Sequence, residues 1–139
     1  MLLFEVKDVQ FREIIKYPHI NIYQGDVTFI GGDSGTGKST LLKLLNNTVS
    51  SDRGQILYMG EPLTDIHPIS LRRKVLLSGQ NVYLFDGTIR ENFKKYYAYR
   101  EIPIPEDEKI REYLKLCAAD FSLGALCQNL SGGERQRVY

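Results

Sequence analysis

The stretch Gly32-Asp33-Ser34-Gly35-Thr36-Gly37-Lys38-Ser39-Thr40 limits what this chain can fold into more than any other part of it. It reads G-x-x-x-x-G-K-[ST] and stands between an apolar, β-branched run (Val27, Thr28, Phe29, Ile30) and a helical apolar pattern (Leu41, Leu42, Leu44, Leu45). Glycines let the backbone curl until consecutive N–H groups and the N-terminus of the following helix point at one anionic centre. Lys38 is then expected at the β- and γ-phosphates of a nucleotide, and the Ser39 hydroxyl at a bridging Mg²⁺. The competing reading is a glycine-rich turn with a solvated lysine. A strand before the loop and a helix after it argue against that.

The rest of the chain is balanced in charge and ordinary in hydrophobicity. With 139 residues, 42% of them hydrophobic, it can bury one domain core but hardly two. A net charge of +1 gives no footprint for nucleic acid or an anionic membrane. Cys117 and Cys127 form neither a C-x-x-C pair nor part of a metal cluster, so both are expected as buried or half-buried thiols in a reducing compartment. No segment is long and apolar enough to span a bilayer, and the N-terminus does not read as a signal peptide.

Upstream of the loop, Leu2, Phe4, Val6, Val9 and Phe11 alternate with polar positions, and Ile20, Ile22 and Val27 flank a Gln24-Gly25-Asp26 turn. This predicts a small antiparallel sheet leading into a strand at Val27–Ile30. Phe11, Tyr17 and Tyr23 are the aromatics here that could stack on an adenine, although core packing is the commoner use of each. Downstream, a helix is expected from about Ser39 to Asn46 or Asn47, a strand over Gln55–Met59, a turn at Gly60-Glu61 and a short helix over Ile69–Arg73. Val75, Leu76 and Leu77 read as a buried strand, which would place Gln80 at its carboxyl end, either facing the same crevice as the loop or as a polar residue that merely ends the strand.

From Asp86 onward the pattern is helical. Thr88-Ile89-Arg90-Glu91 has the form of a capping box. Ile102-Pro103-Ile104-Pro105 is a connector, and Pro105 can serve in the first turn of a second helix with an Ile110, Tyr113, Leu114, Cys117 stripe. A second anion-type feature follows at Leu130-Ser131-Gly132-Gly133-Glu134, a serine and two glycines just before a charged helical run, for which the competing reading is an N-capped helix after a flexible turn.

Both stretches together resemble the nucleotide-binding domain of ATP-binding cassette (ABC) proteins, along essentially the whole chain. The loop matches the family's Walker A motif, Gln80 falls at its Q-loop, and Leu130–Glu134 matches its LSGGQ-type signature with glutamate in the last place. The segment Leu84–Asn92 is similar to the one that follows the Q-loop in exporter-type ATPases. The resemblance implies an α/β fold: a P-loop NTPase core with an N-terminal antiparallel β-subdomain (1–85), a short helical subdomain (86–130) and the start of a signature helix (131–139). It implies an ABC-type ATPase with ATP and Mg²⁺ as ligands. Lys38 and Gln80 are then catalytic, Ser39 and Gln80 reach the metal, and Gly32 to Thr40 with Ser131, Gly132, Gly133 and Glu134 bind the nucleotide.

The same resemblance implies partners: a second nucleotide-binding domain in a homo- or heterodimer, whose γ-phosphate the signature closes over, and a membrane-spanning transporter subunit near Tyr83 and Phe85. The location implied is cytoplasmic and peripheral on the membrane's inner face. A soluble ABC ATPase of the DNA-repair or translation type is the alternative. The family continues with a Walker B strand, a D-loop and a switch histidine, whereas Tyr139 is the last residue here and His19 and His67 stand in the wrong context. The chain is therefore expected to be a truncated domain, incomplete at its C-terminus, with an uncovered sheet edge that favours oligomers, weakened nucleotide binding and little hydrolysis.

Overall fold

The long first strand organises the N-terminal half. In a computed structural model describing residues 1–79 and 81–139, β1 (Leu2–Phe11) pairs along one edge with β2 (Ile15–Tyr17) and β3 (Ile20–Tyr23), and along the other with β4 (Arg53–Tyr58). β5 (Glu61–Pro62) hairpins onto β4, where a proline is tolerated because no strand among the described residues pairs beyond it. All these pairings are antiparallel, as the alternation predicts. The inward face of β1 carries Phe4 and Val6, and then Val9.

Val6 and Val9 are both fully buried although an odd spacing should put them on opposite faces. Asp8 resolves the conflict. It sits at φ 47° within a register shift between Lys7 and Gln10, and the extra residue returns the side chains to the same face. Opposite the bulge, Gly54 holds φ 80°, and a Cβ there would run into the Lys7 and Asp8 carbonyls.

Beneath the sheet, α1 (Lys38–Leu45) buries Leu41, Leu44 and Leu45 among Phe4, Val6, Val9, Tyr17 and Ile56. The short helix α2 (Pro68–Lys74) starts with proline in its first turn, where no N–H is missed, and adds Leu71 to that core. Asn46 is buried at the end of α1 and donates to the Val75 carbonyl.

Two expected strands do not form. Residues 27–30 and 75–77 have no regular structure, with Val27, Phe29 and Leu76 respectively 81%, 90% and 64% exposed. The reason is pairing, because apolar β-branched composition makes a strand only where a neighbour supplies the ladder. Among the described residues no strand lies beside either segment.

Contacts divide the chain into two compact units, 1–77 and 78–139. The second is helical: α3 (Ile89–Tyr99), α4 (Asp107–Leu116) and α5 (Gly132–Val138), with a 3₁₀ turn at Cys127–Asn129. Its core collects Leu84, Ile89, Ile110, Leu114, Leu123, Cys127 and Val138. The α4 stripe is narrower than its spacing suggests, since Ile110 and Leu114 are buried whereas Tyr113 and Cys117 are exposed. Cys117 caps the helix end rather than continuing its inward face, so only Cys127 is a core thiol.

Replacing Gly54 by alanine should destabilise the first unit by about 2 kcal/mol or more, since both the positive φ and the backbone overlap oppose a Cβ. Urea unfolding of Gly54→Ala against wild type measures it, and an unchanged midpoint would refute the bulge argument.

Candidate functional site

The Gly32–Thr40 segment forms a tight loop feeding directly into α1. Its glycines do what the motif requires: Gly32, Gly35 and Gly37 have φ of 139°, 83° and 93°. Thr36 ties the turn by donating its N–H and hydroxyl to the Asp33 carbonyl. The first helical bond of α1 runs from the Leu41 N–H to the Gly37 carbonyl. The N–H groups of Lys38, Ser39 and Thr40 therefore have no acceptor within the helix, and the glycine N-cap offers no side chain to take them. These orphan donors, at the positive end of the helix, are the elements of an anion site.

The Lys38 ammonium folds back over the loop, donating to the Gly32 carbonyl at 2.8 Å and the Asp33 carbonyl at 2.5 Å, with Thr36 Oγ1 at 3.5 Å. A cation is thus already held across the curl of Gly32–Thr36, whose residues are exposed. Ser39 is exposed at the start of α1, and its hydroxyl is the hard oxygen donor that Mg²⁺ prefers. Among the described residues no cluster of His, Cys, Asp or Glu competes as a metal site. A nucleotide triphosphate with Mg²⁺ fits this donor set: a lysine ammonium, helix N–H groups and one hydroxyl.

Tyr17 stands behind the loop. Its ring is buried at 7% exposure, its hydroxyl donates to the Gly37 carbonyl at 2.7 Å, and burial raises its pKa. The ring is thus closed to an adenine and serves the core. Phe11 is half-buried with the Arg12 guanidinium 5.3 Å from its centroid, and Tyr23 lies exposed on β3. Gln80 lies outside the described residues.

In the second unit the Leu130–Glu134 stretch starts α5. Ser131 caps it: the Ser131 hydroxyl accepts from the Glu134 N–H at 3.4 Å, and the Glu134 carboxylate accepts from the Ser131 N–H at 2.7 Å. Glu134 is thereby turned onto its own helix start, and the Ser131 bonds hold its pKa below the usual carboxylate range. Gly132 and Gly133 are exposed with open space where a Cβ would stand. Thr88 and Glu91 build the same device at α3, with the Thr88 N–H and hydroxyl bonds lowering the Glu91 pKa.

Tyr83 and Phe85 form an aromatic patch with α3. Phe85 meets Tyr83 edge-on at 5.0 Å and Tyr96 at 5.6 Å, and the Lys95 ammonium lies 4.8 Å from its centroid. Tyr83 is 62% exposed. One residue of this region escaped the sequence reading. Asn92, fully buried, accepts from the Phe85 N–H and donates to the Phe85 and Thr88 carbonyls and to Cys127 Sγ. Its signal was a polar residue one turn past Thr88, on the face shared with Ile89 and Phe93.

A glycine loop feeding a helix N-terminus packed on an antiparallel sheet, in a chain whose second unit is helical, defines a phosphate-binding-loop α/β protein. The family model for ABC transporters matches residues 15–139, and the chain belongs to that family, corresponding to part of its ATP-binding domain. It is 39% identical over 122 residues to an ATP-dependent lipid A-core flippase of Xylella fastidiosa, covering 82% of this chain and 20% of that protein. It is 33% identical to the methionine import ATP-binding protein MetN of Clostridium tetani, covering 98% of this chain and 46% of the relative. The chain thus spans about a fifth to a half of the lengths of these relatives. Its fold matches a bacterial Atm1-family ABC exporter solved with ATP bound, with TM-score 0.84, 27% identity, and coverage of 99% of this chain and 26% of that one. It also matches cbiO1 of Clostridium perfringens, part of the ABC transporter complex cbiONQ, with TM-score 0.77 at 24% identity over 99% of this chain and 59% of that one.

Because Glu91 and Glu134 carry lowered pKa values in the folded chain, their capping contribution is complete above the ordinary glutamate range near about 4.3 and is lost as pH falls through the lower folded values. Far-UV circular dichroism followed into acid should show helix loss there. The double substitution Glu91→Ala with Glu134→Ala should lower stability at neutral pH and flatten this acid limb.

Proposed function

We propose that this chain binds the phosphates of Mg-ATP at Gly32–Thr40 and acts as ATP-binding part of an ABC transporter. The observation that carries this reading is the Lys38 ammonium held across the loop by the Gly32 and Asp33 carbonyls, beside the unpaired N–H groups opening α1. An incoming phosphate meets a fixed positive charge and oriented dipoles, and takes over the ammonium from the carbonyls that now hold it. Lys38 and the N–H groups of Gly35, Gly37, Lys38, Ser39 and Thr40 hold the phosphates, with Gly32, Asp33, Ser34 and Thr36 shaping the turn. Ser39 is the protein's hydroxyl ligand to Mg²⁺, and Gln80 joins it on the strength of the family resemblance alone. The metal, when bound, neutralises phosphate charge.

Ser131, Gly132, Gly133 and Glu134 act in the same reading on a nucleotide held by a second domain, so the working unit is a dimer. The open glycines support a close approach at Gly132 and Gly133, while Glu134 contributes by fixing the helix start. Tyr83 and Phe85 face a membrane-spanning partner, which agrees with the exposed aromatic patch. The chain works at the cytoplasmic face through that partner, and no helix among the described residues is long and apolar enough to cross a membrane. Relatives named for flipping lipid A-core and importing methionine favour transport over a soluble repair or translation role. In the same reading the β-subdomain and loop core take 1–85, the helical subdomain 86–130 and the start of the signature helix 131–139.

A ligand that binds only the folded state raises its thermal midpoint, by an amount equivalent to about 2.7 kcal/mol at a hundred times Kd. Mg-ATP should raise the wild-type midpoint and leave Lys38→Ala unmoved. Equal behaviour of the two proteins would sink the phosphate-site reading.

A further inference from the structure

The geometry points to Tyr17 as a positioning residue for the phosphate site, fixing the peptide that presents the Lys38 N–H. The inference rests on the phosphate-binding role of the loop proposed above. The Gly37 carbonyl and the Lys38 N–H belong to one planar trans peptide, so they point in opposite directions. That carbonyl receives two donors, the Tyr17 hydroxyl at 2.7 Å and the Leu41 N–H at 2.9 Å, which use both of its lone pairs. Its direction is therefore set from behind, and the N–H on the far side of the same plane is aimed away from β2, toward the loop.

Three further observations make this a built arrangement. Gly37 is at φ 93°, where a single residue is free to swing unless held. A Cβ on Gly37 would lie 2.8 Å from both Ile15 Cγ2 and the Tyr17 hydroxyl, so β2 is packed hard against this glycine. Tyr17 is itself locked, buried in the core and paired with Val9 across β1. In this arrangement Tyr17 never meets the ligand, and acts on it only through the Gly37–Lys38 peptide.

The test titrates Mg-ATP and inorganic tripolyphosphate, which has no base or sugar, into wild type, Tyr17→Phe, Ile15→Val and Lys38→Ala. Tyr17→Phe keeps the ring and removes only the donor, so both ligands should weaken by the same factor, about fivefold. Ile15→Val trims packing on the same glycine but keeps the bond, and should lower the ligand-free thermal midpoint while leaving both affinities near wild type. That split between affinity and midpoint is what a merely structural tyrosine would not give. Wild-type affinity in Tyr17→Phe, or a loss confined to Mg-ATP, overturns the inference but leaves the phosphate site standing. Failure of wild type to bind either ligand removes the phosphate reading and this inference with it. Should Tyr17→Phe not fold, proton NMR of the wild-type chain decides: a Tyr17 hydroxyl proton protected from solvent exchange supports the bond, and one exchanging freely overturns it.

Discussion

The close approach of Gly54 to the Asp8 bulge is the constraint on which the first unit depends. β1 must bury Phe4 and Val6 near its start and Val9 near its end, and a regular strand cannot place all three on one face. The left-handed Asp8 inserts the missing residue, and only a residue without a Cβ lets β4 pass so close to it. Beyond the bulge the register pairs Val9 with Tyr17 and Gln10 with Lys16. Tyr17 is thus buried beside α1, and its hydroxyl reaches the glycine that begins that helix. An irregularity in one strand is in this way linked by hydrogen bonds and packing to the loop that carries the chemistry.

The second unit solves a different problem with local means. Its helices are short, and isolated helices of such length are marginal in water, so their ends have to be secured. Thr88 with Glu91 and Ser131 with Glu134 close two helix starts by the same reciprocal pair of bonds. Asn92 then ties the start of α3 to the Phe85 backbone and to Cys127, while the Arg135 guanidinium donates to the Cys127 carbonyl. With every polar group of Asn92 engaged, its burial carries little penalty, and the Phe85 aromatic patch acquires a fixed backbone.

What was legible in the sequence was local. The loop, the capping box at Thr88, the cap at Ser131 and the alternation in β1 depend on neighbours a few residues away, and each is found where the residues indicate. The strands expected at 27–30 and 75–77 failed because a strand needs a distant partner, which composition cannot supply. Cys117 was misplaced for a related reason: helical spacing identifies a stripe, but where the helix ends decides which member of it still faces inward. Asn92 was overlooked because its partners, Phe85 and Cys127, are seven and thirty-five residues away.

By itself, the sequence determined that a phosphate-type loop precedes a helix, that an antiparallel sheet comes first and a helical part last, and that the chain belongs to the family its two motifs suggest. These follow from short-range rules: glycine at positive φ, caps at helix starts, period-two alternation. Tertiary structure decided which aromatic is closed to a base, which way the Gly37 carbonyl faces, and that the Glu134 carboxylate turns back onto its own helix. Such choices depend on the through-space positions of residues far apart in the chain, or on which of several available donors a group meets. No spacing rule encodes them.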